Sequence, residues 1–140
     1  MITGFTCSAF DFLHAGHVLM LKECWENCDT LYVGLHTDPT IDRPDKNKPI
    51  QSVLERYIQL DAIKYIDHII PYETEADLLV LLSIIANKGG PVVRFVGEDW
   101  KNKKFTGHEL QIPIYYNKRY GYSTTGLRKR IEGQHEQEEK

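Results

Sequence analysis

The chain has 140 residues, 41% hydrophobic and 26% charged, with a net charge of −3. That fits one domain with a real core and excludes the global basic field that recruits nucleic acid, so any phosphate binding must be local. The most apolar stretch, Leu78 to Ala86, is too short to cross a membrane, and no signal-peptide pattern opens the chain. Three cysteines, Cys7, Cys24 and Cys28, lack a zinc-finger frame, and a zinc site built from them with His14 or His17 lacks the usual ligand-pair spacings. The expectation is a cytoplasmic protein with buried free thiols and no membrane insertion.

In chain order, Ile2 to Cys7 predicts a first strand. A turn, Phe10-Asp11-Phe12-Leu13-His14-Ala15-Gly16-His17, leads into a helix from Ala15 to Asn27, where Val18, Leu21 and Trp25 recur at helical spacing. Thr30 to His36 is a continuous apolar strand of the kind buried on both faces of a parallel sheet. Asp38 to Ile50 is a proline-rich, charged loop. A second helix runs from Gln51 to about Lys64, with Ser52 and Glu55 as a capping box. Asp67 to Pro71 is a strand, and Thr74 to Lys88 a helix with Thr74 and Asp77 as its capping pair, ended by Gly89-Gly90-Pro91. Val92 to Val96 and Ile112 to Tyr116 are strands, and Ser123 to Ile131 is a closing helix. This alternation predicts a Rossmann-like three-layer α/β/α sandwich with a mainly parallel five-stranded sheet over residues 1–131, followed by a polar tail, 132–140. Ligands of such sheets bind at the carboxyl ends of the strands.

Chemistry concentrates at that edge. His-x-Gly-His is expected only about 0.02 times in a chain of this composition. It follows a strand and opens a helix, so both imidazoles stand near free backbone N–H groups that favour anions. Gly121-Tyr122-Ser123-Thr124-Thr125 opens the last helix. Its hydroxyls serve as caps or, with the amides, as a phosphate cradle. Lys118, Arg119, Arg128, Lys129 and Arg130 flank it. They supply charge to a polyphosphate, or Arg128 to Arg130 complement the dipole of their own helix. Lys46-Asn47-Lys48 lies in the loop, where long lysines suit a phosphate that comes and goes. Arg56 and Lys64, two turns apart, suggest one helix face, with Asp67 beyond it. Gly97-Glu98-Asp99-Trp100 follows a strand and offers a carboxylate and an indole to a base or a metal.

Phe10-Asp11-x-x-His14-x-Gly16-His17, the Lys-x-Lys loop, Arg56, Gly97-x-Asp99-Trp100 and Gly121-x-Ser123-Thr124-Thr125 together resemble the cytidylyltransferase branch of the His-x-Gly-His nucleotidyltransferases, nearest the bacterial glycerol-3-phosphate cytidylyltransferases. The resemblance runs from about Ile2 to Ile131. It implies a homodimer that uses magnesium and transfers CMP from CTP to a phosphorylated alcohol, releasing pyrophosphate. By resemblance, His14 and His17 stabilise charge on the α-phosphate, and Lys46, with Lys48, closes over the phosphates. Ser123 and Thr124 hold the future pyrophosphate. Phe10, Asp11, Gly16, Lys118, Arg119, Tyr122 and Thr125 complete the nucleotide site, Asp11 ordering the turn or the metal and Asp99 approaching the base. Arg56, Lys64 and Asp67 would bind the acceptor.

This chain departs from the pattern at Ser8 (usually Gly), Ala9 (Thr or Ser), Lys118 and Lys64 (Arg), and Glu75 (an aromatic). The last two touch the acceptor region. Two other readings stand beside the first: an adenylyltransferase using ATP, similar to the FAD synthases, and a nucleotide-binding module without turnover. Ser8, Ala9 and Lys118 favour the module, whereas His14, His17, Ser123 and Thr124 favour turnover.

Overall fold

The computed structural model describes residues 1–138, with side chains through Gln134. Five strands, β1 (Thr3–Ser8), β2 (Thr30–His36), β3 (His68–Tyr72), β4 (Val92–Gly97) and β5 (Ile114–Asn117), form one sheet in the order β3-β2-β1-β4-β5. Every pairing is parallel. The helices are α1 (Ala15–Glu26), α2 (Val53–Asp61), α3 (Glu75–Ala86) and α4 (Thr124–Glu138). The chain builds outward from β1 to β3, then returns to lay β4 on the other side of β1. The carboxyl ends of β1 and β4 therefore flank the switch point where such sheets bind ligands.

Two apolar clusters make the layers. Leu21 and Cys24 of α1 and Leu60 of α2 pack with Leu31, Val33, Leu35 and Phe95 on one face of the sheet. Leu78, Leu82 and Ile85 of α3 pack with Phe5 and Tyr72 on the other. Both expected capping boxes form: Ser52 with Glu55 at α2, and Thr74 with Asp77 at α3. The cysteines are free, and Cys24 is buried. No helix among the described residues is long and apolar enough to cross a membrane.

Most element boundaries shift by one or two residues from those expected, and three differences bear on the site or the sheet. Helix α2 stops at Asp61 instead of running to Lys64, and Ile63 and Ile66 turn in to pack against the α1-side core. Strand β5 begins after Pro113, whose ring nitrogen has no proton for the ladder. Helix α4 continues to Glu138, through most of the stretch read as a tail. Residues 139–140 of that tail lie outside the described residues.

Candidate active site

The His-x-Gly-His turn caps α1 with its own imidazoles. The Gly16 amide donates to His14 Nδ1 at 3.0 Å, and the His14 amide donates to His17 Nδ1 at 3.2 Å, a capping box made from two histidines. Each Nδ1 lone pair is thus occupied by a backbone proton, so each ring carries its hydrogen on Nε2. The rings stack with centroids 3.9 Å apart. Gly16 is required by contact: a Cβ there would lie 2.7 Å from His14 Cε1 and 3.0 Å from the Tyr122 carbonyl oxygen. The result is a pair of neutral N–H donors beside a helix N-terminus.

Burial pushes the His17 pKa from 6.5 down to about 4, with a smaller push from His14 and an opposing pull from Asp11. Burial lowers His14 as well. The consequence for stability has a definite sign. The unfolded chain takes up a proton at His17 near pH 6.5 while the folded chain resists until about pH 4. Stability is therefore full above pH 6.5 and falls as the pH drops through this window, by up to about 3 kcal/mol. Urea unfolding at pH 7 and pH 4.5 is expected to show a smaller acid loss in His17→Asn than in wild type. Parallel losses in the two proteins would assign the effect to other groups.

The turn before the histidines is strained and held. Phe10 and Phe12 both adopt φ 52°, costly for bulky residues. Phe10 is buried, with its ring 5.5 Å from His17. The Asp11 carboxylate accepts from the amides of Ile50 and Gln51, each at 3.0 Å, and Gln51 Oε1 accepts from the Phe12 amide at 2.8 Å. Asp11 thus orders the turn by tying it to the loop before α2. Arg56 completes the brace. Its guanidinium donates to the carbonyls of Ala9, His36, Thr37, Gln51 and Ser52 at 2.7–3.3 Å, and the residue is 2% exposed.

A cleft of about 620 Å³ opens over this turn. His17, Phe10 and Asp11 line it together with Lys46 and Asn47 of the loop, Gly97 at the end of β4, Trp100 just beyond it, Lys118, and Thr124, Thr125 and Arg128 of α4. Among the charged side chains lining it are five cations, Arg43, Lys46, Arg94, Lys118 and Arg128, and two carboxylates, Asp11 and Glu75. That is a local cationic surplus in an acidic chain, suited to a polyphosphate. At the start of α4, the Ser123 hydroxyl accepts from the Gly126 amide at 2.9 Å, and its carbonyl from Leu127 at 3.1 Å. Ser123 therefore acts as the cap. The Thr124 hydroxyl donates to the Asp11 carbonyl at 3.2 Å, joining the two motifs.

Several expected site residues stand elsewhere. Arg56, read as an acceptor ligand, is a buried brace with its donors spent on carbonyls. Lys64 lies beyond the end of α2 and so does not share a helical face with Arg56. The Asp67 carboxylate accepts from the Leu31 amide at 2.8 Å, at the amino end of the sheet, opposite the histidines. These three do not form one acceptor site. Asp99 is exposed and outside the cleft lining, its carboxylate folded back toward Gly97. Arg119 and Tyr122 are exposed and also outside the lining, as is Lys48, which pairs with Asp38 at 4.0 Å. Arg128 gains a role. With α4 running to Glu138, it lies in the first half of the helix, so complementing a C-terminal dipole does not explain it. It sits 3.5 Å from Asp11 and lines the cleft. Arg43 and Arg94 join the cleft without a motif around them: Arg43 stands in a charged loop and Arg94 inside an apolar strand, and only the fold turns both side chains to this edge.

A family profile described as cytidylyltransferase-like matches residues 5–130. The chain belongs to the cytidylyltransferase-like family. Among its relatives in this family, the bifunctional protein HldE of Campylobacter concisus (strain 13826) is 33% identical over 129 residues, which cover 91% of this chain and 26% of that protein. HldE of Nitrobacter winogradskyi is 33% identical over 136 residues, covering 93% and 27%. The chain thus spans about a quarter of the length of these curated relatives. A lipopolysaccharide core biosynthesis protein from Thermoplasma volcanium GSS1 superposes with a TM-score of 0.62 at 26% identity, covering 88% of this chain and 99% of that one. A Vibrio parahaemolyticus protein, provisionally assigned as a nicotinate-nucleotide adenylyltransferase, shares the fold at a TM-score of 0.58 and 16% identity, covering 94% and 88%.

Proposed function

We propose that this chain transfers a nucleoside monophosphate from a nucleoside triphosphate to a small phosphorylated acceptor. The observation that carries the reading is the pair of capped, neutral imidazoles whose Nε2–H donors are fixed by their own capping box, His17 lining a cationic cleft and His14 stacked on the His17 ring outside the lining. In the reaction, an acceptor phosphate oxygen attacks the α-phosphorus in line. The new P–O bond forms as the α–β bridging bond breaks, and the electron pair leaves with pyrophosphate. No general base is needed, because the nucleophile is already an anion. The work is positioning and charge stabilisation. His14 and His17 donate to the α-phosphate oxygens as negative charge gathers there. Lys46 reaches the phosphates from its loop. The amides of Thr124 and Thr125, which have no protein partner among the described residues, face the departing pyrophosphate with Arg128 and Lys118.

CTP is the donor read from the motifs. ATP is the second reading: Asp99 lies outside the cleft, and the Trp100 indole that lines it can stack on either base, so no contact here selects cytosine. The acceptor shifts from glycerol 3-phosphate toward a sugar phosphate, on the strength of the relative named for lipopolysaccharide core biosynthesis. Magnesium belongs to this reading as the counter-ion of the triphosphate. Asp11 orders the turn in this structure, each carboxylate oxygen accepting one backbone amide, and its remaining lone pairs face Arg128 at 3.5 Å. The homodimer rests on the family resemblance, and light scattering tests it.

The deciding experiment is calorimetric titration of wild type and His17→Ala with CTP and with ATP, each with Mg²⁺, followed by pyrophosphate release over glycerol 3-phosphate and a set of sugar phosphates. Selective binding of one nucleotide with pyrophosphate release supports transfer and names the donor. Binding without release from any acceptor leaves a nucleotide-binding module. Binding of neither nucleotide to folded wild type overturns the proposal.

A further inference from the structure

The cleft extends past the histidines. It crosses the carboxyl edge of the sheet to the α3 side, where Cys7, Tyr72, Glu75 and Arg94 join its lining. Arg94 rises from the middle of β4, opposite Phe5 of β1, and is 6% exposed. Its guanidinium donates to the Thr106 carbonyl, has the neutral Cys7 thiol as its other polar neighbour, and lies 5.0 Å from the Phe105 ring. Its Nε has no partner. No carboxylate lies within ion-pair distance among the described residues: Glu75 pairs with Arg43 at 3.6 Å, and Asp11 with Arg128 at 3.5 Å.

Arg56 shows what a structural buried arginine looks like in this same protein, with five carbonyls around one guanidinium. Arg94 has one. Neither Cys7 nor Tyr72 supplies the missing counter-charge, because burial pushes both the thiol and the phenol upward and keeps them neutral. A buried cation without a counter-ion is costly and is retained where a ligand completes it. The guanidinium fork fits a phosphate edge in two-pronged fashion.

We propose that Arg94 is the anchor for the phosphate of the acceptor, on the α3 side of the cleft. The triphosphate takes the other side, against α1 and α4. This assignment rests on the nucleotidyl-transfer reading for the word acceptor. The anion site itself does not depend on it.

The test uses inorganic phosphate as probe on wild type, Arg94→Met, Arg94→Lys and His17→Ala, titrated alone and with saturating CTP or ATP plus Mg²⁺. Arg94→Met is expected to weaken phosphate binding to nucleotide-loaded protein by at least about tenfold. Nucleotide affinity should stay within about twofold. Arg94→Lys is expected to recover part of the phosphate affinity, since it keeps the charge and loses the fork. Without ligand, Arg94→Met should unfold at the same or a higher temperature than wild type, because it removes an unpaired buried charge. Phosphate should raise the unfolding temperature of wild type more than that of either Arg94 variant. Phosphate binding unchanged in Arg94→Met, or a drop in its ligand-free stability with binding intact, would make Arg94 structural and overturn the proposal. If Arg94→Met does not fold, a thermal response of Arg94→Lys to phosphate that is smaller than wild type supports the site, and a response equal to wild type overturns it. If wild type binds phosphate through Arg94 but binds neither nucleotide, the anion site stands while the transfer reading falls.

Discussion

Replacing His17 with alanine is expected to lower kcat about 10²–10³-fold, equivalent to about 3–4 kcal/mol, with the fold intact and nucleotide affinity much less affected. The effect originates in the hydrogen on Nε2. The His14 amide occupies His17 Nδ1, so the ring presents a donor whose orientation is set before substrate arrives. Such a donor is worth most where charge grows during the reaction, and less toward the ground-state triphosphate. His17→Gln, which retains a donor without the ring, should recover a minor part of the rate. The check is single-turnover pyrophosphate release alongside calorimetric nucleotide binding. A variant that loses binding and rate in equal measure would place His17 in ground-state binding, and a variant with the wild-type rate would remove it from the chemistry. Because the donor is neutral and the His17 pKa is held near 4, the rate should not fall between pH 6 and pH 8 through loss of an imidazolium at this position.

Arg56→Met is expected to destabilise the protein by about 3–5 kcal/mol, a much larger effect than is usual for one side chain. Methionine approximates the volume but supplies none of the donors. The carbonyls of Ala9, His36 and Thr37 come from three points around the site: the turn after β1, the end of β2 and the loop that follows it. They converge on one guanidinium, and stripping it leaves them buried without partners. The strained Phe10 turn loses one of its fastenings at the same time. Urea unfolding measures the loss directly. If Arg56→Met unfolds at the wild-type urea concentration and shows only a raised acceptor KM, the side chain contacts acceptor as the sequence suggested, and the brace assignment fails.

The sequence alone determined the alternation of strands and helices, the parallel sheet, the capping residues Ser52 and Thr74, and the two motifs at the starts of α1 and α4. These are local signals. Periodicity, caps and glycine-bearing turns are written within a few residues of where they act. It also placed the histidines correctly at the carboxyl edge, because a turn after the first strand of such a sheet has nowhere else to be. Tertiary structure decided what the isolated cations do. Arg56, Lys64 and Asp67 looked alike as surface charges near one helix. The fold buried the first among carbonyls, put the second beyond the helix end, and set the third at the far edge of the sheet. Arg94 went unnoticed within a strand that reads as apolar, and Arg128 was ambiguous until α4 proved long enough to remove its dipole explanation. The physical reason is common to all of them. The worth of a charged side chain depends on its distance from water and from counter-charge, and both are set by residues far away in the chain.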